Sequence, residues 1–242
     1  MATQYLEHHH DPRTQQTLHH SKIDNENPIP YLSFVSDGSE KDDSLSFAWN
    51  LQTQSGICLA CCAGPGSGPG PGMSHQGECF GFLSCSRFTF HIRQYTSTTA
   101  QWSMQFVMDA LGMIKRILQC KEFNKCYPNY SLLSDWDLLE EAFHTLKTSD
   151  VEYHPEHVHG HQDKTIPFSQ LSNHTKQNIL ADEDTRLFQE HYASPNPQSP
   201  LMPSVTAQLH IQGRTVTGHF RQRIQDAASI PPYFEYLRYH NK

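Results

Sequence analysis

Long apolar segments are missing from this chain of 242 residues. No run approaches the roughly 20 apolar residues that a membrane-spanning helix needs, so we expect no transmembrane helix and no membrane partner. No charged-then-apolar leader opens the sequence either, because residues 1–25 are polar and rich in histidine. We therefore expect no secretory signal and an intracellular protein, in the cytoplasm or nucleus. Charged residues are scarce at 18%, but the 11% of aromatic residues argues against disorder throughout.

Cysteines with the spacing of a zinc finger are also absent. The seven cysteines are an odd number and form no repeated Cys-x-x-Cys pairs, so we expect reduced, mostly buried thiols. Acidic residues outnumber basic ones, 25 to 18, which excludes a histone-like polycation but suits a protein whose acids hold metal ions. The charge is unevenly distributed, since residues 207–242 carry five basic and two acidic residues.

Composition divides the chain into four predicted segments. They are a disordered histidine-rich leader over residues 1–28, a packed domain over 29–192, a proline-rich linker over 193–206, and a small basic and aromatic tail over 207–242. The packed domain is long enough to bury its own core. Within the tail, Gly213 separates two short runs that predict a hairpin, and a short helix is expected after it.

Hydrophobic patterning predicts the strands and the long helices of the packed domain. Strands are expected over residues 31–36, 44–52, 57–63, 105–108 and 151–158, the last at a sheet edge because it contains Pro155. Long helices are expected over residues 77–95 and 173–192, where apolar residues recur at three- and four-residue steps. The order is an antiparallel meander followed by βαβ-type crossovers, which predicts an α/β domain with a mixed sheet and helices packed on it.

Two shorter helices and a loop complete the pattern. Leu111, Ile114 and Leu118 are expected to line the buried face of one short helix. Ser134 and Asp137 have the spacing of a capping box that would open the other. The run of glycine and proline over residues 64–72 has no following Lys-Ser/Thr, so it is predicted to be a flexible loop rather than a phosphate loop.

Four carboxylates fall where such a sheet would collect them. Asp37 ends the first predicted strand, Asp109 ends the fourth, Glu78 lies in the first helix and Asp182 in the last. Crowded carboxylates repel one another unless a divalent cation neutralises them. Ligation by oxygen alone suits Mg²⁺ or Mn²⁺, and a pair of such ions is the usual apparatus for hydrolysing a phosphodiester.

Five short motifs in this order resemble the ribonuclease H fold family. They are Ser36–Ser39, Gly77–Cys79, Val107–Ile114, His157–Asp163 and Asn178–Asp182. The likeness covers about Ile29 to Tyr192 and is strongest to the type 1 domain that follows reverse transcriptase in retrotransposon polyproteins of diatoms and related protists. It implies a ribonuclease H-like α/β fold, with a five-stranded mixed sheet whose first three strands are antiparallel, flanking helices and a C-terminal appendage.

The resemblance also implies roles for individual residues. Asp37 would bridge two Mg²⁺ ions, with Mn²⁺ as a substitute, and Asp182 would complete the site of the ion that activates water. Glu78 and Asp109 would hold the ion at the leaving 3′ oxygen, and His161 would assist proton transfer or product release. The predicted substrate-binding residues are Gly38, Ser39 and Asn178. The implied partner is an RNA–DNA hybrid, with a reverse transcriptase domain as a further candidate in the parent element.

The chain departs from the family pattern in several places, and the sequence allows other interpretations. Ala110 replaces a usual polar residue, and Asp163 stands where many relatives have glycine. One alternative is a catalytically silent nucleic-acid-binding module, for which the aromatic and basic tail offers contacts, although that tail can equally dock on the domain. A second is a related metal-dependent DNA nuclease. A zinc site made by the histidines between 154 and 161 is a third, less favoured than ordinary surface histidines.

Overall fold

The computed structural model describes residues 32–41, 44–66, 74–96, 102–122, 134–192, 209–211, 214–216 and 221–229. The predicted leader over 1–28 and the predicted linker over 193–206 lie outside these residues. Both remain predictions from composition. No helix in the described part of the chain is long and apolar enough to cross a membrane.

The domain is built on one mixed sheet of five strands. The strands are β1 (Leu32–Lys41), β2 (Ser44–Thr53), β3 (Cys58–Pro65), β4 (Trp102–Met108) and β5 (Val151–His157), in the spatial order β3-β2-β1-β4-β5. β1, β2 and β3 pair antiparallel, whereas β4 pairs parallel with both β1 and β5. This topology confirms the predicted fold class, and Pro155 lies on an edge strand as predicted.

In the described part of the domain, four helices pack around the sheet. They are α1 (Ser74–Thr96), α2 (Leu111–Glu122), α3 (Trp136–Thr148) and α4 (Asn173–Tyr192). On the face that α1 covers, Phe34 and Trp49 of the sheet contact Phe88 of the helix. On the opposite face, the Ser46 hydroxyl donates to the Thr185 carbonyl of α4. The domain therefore has α1 and α4 on opposite faces of β1 and β2.

Aromatic residues dominate the core under α1. Phe34 stacks on Phe106 of the neighbouring strand, with ring centroids 5.7 Å apart, and Phe106 meets Phe82 of α1 edge-on at 4.9 Å. Such pairs add a directional attraction to the burial of apolar area. A smaller cluster of Val35, Val107 and Val158 fills the other face of β1 and β4.

Some predicted elements differ from the observed ones. Asp37 does not end a strand, because β1 and β2 continue to pair until Lys41 meets Ser44. The capping box is wrong: Asp135, in the left-handed region, occupies the cap position of α3 and makes no side-chain cap hydrogen bond. Gly64 belongs to β3 rather than to a loop, and residues 67–72 lie outside the described part of the chain.

The predicted buried face of α2 is also partly wrong. Leu111 and Leu118 are exposed, whereas Met113, Ile114 and Ile117 are buried. The apolar positions of this helix cover more than one face, and its packing against α1 selects the side that carries Met113. Sequence periodicity alone does not report which side a neighbour will cover.

The described cysteines form no disulfide, in line with the prediction of free thiols. Cys79 and Cys85 are buried in α1. Cys58 and Cys61 are exposed on β3, so the expectation of mostly buried thiols is wrong for them. The reason is that β3 is an edge strand.

The C-terminal tail contains the short elements that its sequence predicts. β6 (Leu209–Ile211) and β7 (Arg214–Val216) form an antiparallel pair, and residues 221–229 are helical. All five Phe and Tyr residues of the tail lie outside the described residues. Its role in binding nucleic acid or in docking therefore remains a prediction.

Candidate functional site

Strand register brings two predicted carboxylates to one face of the sheet. The parallel pairing of β1 with β4 aligns Val35 with Val107 and ends there. Alternate residues of a strand point to the same face, so Asp37 and Asp109, each two residues further along, follow the two valines. The parallel pairing ends before Asp37 even though the strand does not. This is why a prediction that placed Asp37 at a strand end still located it beside Asp109.

Two glycines bring the start of α1 against β1. A Cβ on Gly38 would overlap the backbone nitrogen of Glu78, and a Cβ on Gly77 would lie 2.8 Å from the Ser46 carbonyl oxygen. Only residues without side chains permit this approach of helix to strand. The approach brings Glu78, in the second turn of α1, next to the part of β1 that contains Asp37.

Asp37, Glu78 and Asp109 form a compact carboxylate cluster. One oxygen from each lies within 4.8 Å of the others. Asp37 is 7% exposed and Glu78 is 3% exposed, while Asp109 is half-buried. The cluster borders an open cavity of about 540 Å³, which Asp182 and His161 also line. The four predicted metal-binding carboxylates and the predicted histidine thus surround one cavity.

The Glu78 carboxylate is satisfied on one oxygen only. Its Oε1 accepts a hydrogen bond from the Gly38 backbone nitrogen at 3.1 Å. Its Oε2 is buried and has no hydrogen-bond partner. A buried carboxylate oxygen without a donor carries a desolvation cost of a few kcal/mol, which a bound cation would remove.

Burial and mutual repulsion raise the pKa of all three carboxyl groups in the absence of a cation. Desolvation, followed by the charges of Asp109 and Asp182, raises the pKa of Asp37 to about 8. Desolvation, followed by the charges of Asp37 and Asp109, raises the pKa of Glu78 well above its ordinary value. Desolvation also raises the pKa of Asp109, and His161 opposes that shift. The metal-free site therefore retains protons near neutral pH, and a divalent cation would replace them.

Asp182 and His161 occupy the solvent side of the cavity. The Asp182 side chain is 45% exposed, and its Oδ2 lies 3.7 Å from Nδ1 of His161, whose side chain is 59% exposed. Asp182 is not one of the three carboxylates that lie within 4.8 Å of one another, although its charge raises the pKa of Asp37. The site thus has a buried group of three acids and an exposed acid–histidine pair.

Two residues that were not predicted from the sequence as site residues position Asp109. A Cβ on Gly160 would overlap Oδ2 of Asp109, so only glycine leaves room for this carboxylate. The His157 ring donates from Nε2 to the Asp109 carbonyl oxygen at 3.0 Å. Both residues belong to the His157–Asp163 motif. Its glycine was the available signal, because glycine commonly marks close approach of the backbone to another group.

The predicted substrate-binding residues separate in the structure. Gly38 and Ser39 line the cavity, beside the carboxylates. Asn178 lies one turn before Asp182 on α4, is 3% exposed and is not among the residues that line the cavity. Its Nδ2 is buried without a partner. The substrate-binding role of all three remains a prediction.

The histidines between residues 154 and 161 do not form a metal site of their own. Among the described residues, only two groups of three or more side chains could hold an ion, and neither contains these histidines. His154 contacts Glu152 at 3.5 Å, and His157 contacts the Asp109 backbone. The alternative zinc interpretation for this histidine cluster is therefore wrong.

The carboxylate cluster fits a hard divalent cation. Its ligand atoms are all carboxylate oxygens, the type that Mg²⁺ and Mn²⁺ prefer, and the orphaned Oε2 of Glu78 is available for one. The open cavity leaves room for water and for a substrate phosphate. The arrangement can therefore support metal-assisted hydrolysis of a phosphate ester.

No protein-family model matches the chain, and no curated protein matches its sequence. Several solved structures share its backbone course. One is the N-terminal RNase H domain of a Mycobacterium tuberculosis protein, solved as a fusion with maltose-binding protein, with a TM-score of 0.42 and 11% identity over 66% of this chain and 97% of the other. Another is an RNase H of the halophilic archaeon Halobacterium salinarum, with a TM-score of 0.41 and 14% identity over 64% and 98% of the two chains.

A third similar structure is the protease-reverse transcriptase of a foamy virus in complex with double-stranded DNA. Its TM-score is 0.45, with 14% identity over 68% of this chain and 96% of the other. These are likenesses of backbone course at low sequence identity. The positions of the carboxylates are observed in this chain itself and are not inferred from these similar structures.

Proposed function

We propose that this protein is a metal-dependent endoribonuclease that cleaves the RNA strand of RNA–DNA hybrids. The observation that carries the proposal is the grouping of Asp37, Glu78 and Asp109, with ligand oxygens within 4.8 Å and a buried carboxylate oxygen that has no donor. The sequence motifs that contribute these acids resemble ribonuclease H in kind and order. Two buried acids beside a half-buried third are costly for stability, so their presence favours a role in binding cations.

The four carboxylates would share the work of holding two ions. Asp37, Glu78 and Asp109 would form the buried side of the metal centre, and Asp182 would join them from the exposed side of the cavity. When bound, two Mg²⁺ ions, or Mn²⁺ in their place, activate water and neutralise charge on the leaving oxygen in phosphodiester hydrolysis. The products would be a 5′-phosphate and a 3′-hydroxyl.

His161 is suited to moving a proton at the edge of this site. Its ring is exposed, lies beside Asp182 and borders the cavity, so it can exchange a proton with solvent while facing the substrate. The left-handed backbone at His161, with φ of 53°, turns the chain at the start of a short 3₁₀ helix, Gln162–Lys164. We assign it a role in proton transfer or product release, one that speeds turnover without holding the ions.

The backbone of Gly38 and Ser39 would provide the contact to the substrate strand. Both border the cavity next to Asp37, where backbone groups can approach a sugar or phosphate closely. Selection of a hybrid would come from its minor-groove shape and its 2′-hydroxyls rather than from the bases. The relationship to retroelements, and a reverse transcriptase as a partner, remain predictions from the sequence motifs.

Cleavage of a labelled RNA–DNA hybrid tests the proposal. The full chain would be assayed with Mg²⁺, with Mn²⁺ and with EDTA, in parallel with Asp109→Asn. Asp150→Asn is the matched control, because Asp150 is an exposed acid outside the cavity. We expect metal-dependent cleavage that is retained in the control and lost in Asp109→Asn while the variant stays folded.

Three further substrates separate the alternatives. Duplex DNA, duplex RNA and single-stranded RNA would be offered under the same conditions. Cleavage of duplex DNA in preference to the hybrid would identify a DNA nuclease instead. Tight hybrid binding without cleavage in either metal would indicate the silent binding module, and either result would overturn the proposal.

A further inference from the structure

We propose that His75, Cys79 and Asp135 form a second metal site, which takes Zn²⁺ and lies beside the carboxylate cluster. The ligand atoms of the three side chains lie within 4.8 Å of one another. The site shares no ligand with the cluster of Asp37, Glu78 and Asp109. It goes beyond the proposed nuclease activity and does not depend on it.

The distances agree with tetrahedral coordination of zinc. Nδ1 of His75 lies 3.5 Å from Sγ of Cys79 and 3.5 Å from Oδ2 of Asp135. Zinc binds sulfur at about 2.3 Å, and nitrogen or oxygen at about 2.0–2.2 Å, in a tetrahedron. Those bond lengths place the nitrogen and sulfur ligands about 3.5 Å apart and the nitrogen and oxygen ligands about 3.4 Å apart. Both separations that involve Nδ1 of His75 thus match a zinc site, and the sulfur and the carboxylate oxygen lie within 4.8 Å of each other.

Local structure explains how the three ligands meet. His75 and Cys79 are four residues apart in the first turns of α1 and so lie on one face of the helix. Asp135 arrives from the turn that precedes α3, where it has a left-handed backbone with φ of 57°. Arg116 of α2 donates to the Ser134 carbonyl at 2.8 Å and holds the adjoining residue of this turn.

The Asp135 carboxylate contacts His75 and does not cap its own helix. It sits at the cap of α3 but makes no side-chain cap hydrogen bond, and its side chain is 7% exposed. Its ion-pair contact is Nδ1 of His75. The other nitrogen of that ring, Nε2, is buried without a hydrogen-bond partner. Nδ1 is therefore the ring nitrogen that contacts Cys79 and Asp135. A buried acid and a buried thiol that converge on a half-buried imidazole resemble the ligands of a metal rather than a packed core.

The donor set selects a different ion from the one that suits the carboxylate cluster. One nitrogen, one sulfur and one oxygen match the borderline preference of Zn²⁺, whereas Mg²⁺ takes oxygen ligands. His75 also lines the cavity, so water can reach a fourth coordination position. Zinc binding would release the Cys79 thiol proton to solvent, against burial and the charge of Asp135, which raise the pKa of that thiol well above its ordinary value.

The proposed consequence is mechanical. The ion would join the start of α1 to the start of α3, and α1 carries Glu78 one residue before Cys79. Zinc would thereby stiffen the turn that positions Glu78. Because it binds the folded state, it would also raise the unfolding temperature of the full chain.

Cobalt substitution tests the site directly. The full chain, freed of metal by a chelator, would be titrated with Co²⁺, whose bond to a thiolate gives a charge-transfer band in the near ultraviolet and whose tetrahedral complexes absorb in the visible. We expect one such site per chain, displaced by Zn²⁺. Cys79→Ser should abolish the thiolate band, and Asp135→Asn should weaken Zn²⁺ binding at least ~10-fold, since loss of even outer-shell partners typically has that effect.

Matched variants distinguish this site from other metal-binding groups. Cys85→Ser removes a second buried thiol of α1 that belongs to neither metal-ligating group of the described residues, and Cys61→Ser removes an exposed thiol on β3. Both should keep the band. Asp109→Asn should keep it too, which separates this test from failure of the proposed nuclease. Asn tolerates the left-handed backbone at position 135, so Asp135→Asn reports on the ligand even where Cys79→Ser does not fold.

Several results would overturn the proposal. One is a thiolate band that survives in folded Cys79→Ser or disappears in Cys61→Ser. Another is Zn²⁺ affinity that is equal in the parent chain and Asp135→Asn. Binding of Cu⁺ with no binding of Zn²⁺ would refute the assignment of the ion.

Discussion

Replacing Asp37 by asparagine should stabilise the metal-free protein, and the gain should grow with pH. Burial and the neighbouring acids raise the pKa of Asp37 from 3.8 to about 8. Between these values the folded state holds a proton that the unfolded state has released. Stability of the parent chain therefore falls as pH rises through this window, by about 1.4 kcal/mol per pH unit for one proton.

The size of the effect follows from how far the pH lies above the ordinary pKa of the Asp37 carboxyl group. At pH 5, about one unit above the ordinary pKa of 3.8, the proton kept by the folded protein costs about 1.5 kcal/mol, and at pH 7 the cost reaches about 4.5 kcal/mol. Asparagine is neutral at both values and does not incur this cost. Its stability advantage over the parent should thus widen by about 3 kcal/mol, or roughly 6–12 °C in Tm for a domain of this size. Glu78 titrates with Asp37, so the transition belongs to the pair.

Thermal unfolding in EDTA at pH 5 and pH 7 measures this difference. Asp150→Asn is the control, because the Asp150 side chain is 77% exposed and should show the same difference from the parent at both values. Saturating Mg²⁺ should stabilise the parent more than Asp37→Asn, since the cation replaces the proton. A gap between parent and Asp37→Asn that does not change with pH, or a variant that is less stable than the parent at pH 7, would refute the reasoning.

Two further changes test how the site is held. Gly160→Ala should displace the Asp109 carboxylate, because the added methyl would overlap Oδ2. We expect Mg²⁺ affinity, measured by calorimetry, to fall while the secondary structure is retained. Unaltered affinity would show that the loop moves to accept the methyl group. His161→Ala should slow hybrid cleavage by roughly 10²-fold or more, typical of a lost proton-transfer group, with unchanged Mg²⁺ affinity. Loss of metal binding in that variant would make the histidine a ligand rather than a proton carrier.

The strand order could be predicted because each strand leaves a local signature. Alternating apolar residues located β2 and β4, and Pro155 marked β5 as an edge strand. The parallel pairing of β1 with β4 then brings Asp37 and Asp109 to one face, since both follow buried valines by two residues. Period and direction are properties of the chain itself, so the sequence carries them.

Element ends and buried faces could not be predicted in the same way. The Asp-Gly-Ser run of β1 reads as a turn, yet pairing with β2 extends the strand to Lys41. Ser134 looks like a cap, but the turn before α3 places Asp135 there instead. In both cases contacts formed in the folded domain outweigh the local preference of the residues.

The amino-acid sequence predicts the kinds of ligand in this protein, namely four acids whose order resembles the family pattern. The environments of these ligands come from the folded structure. It buried Glu78 with one oxygen unpaired, left Asp182 exposed beside His161, and brought Asp135 to His75 and Cys79 from about 60 residues away. Burial and proximity arise from packing between elements, and these two quantities set the pKa of a carboxyl group and the ion that a site will accept.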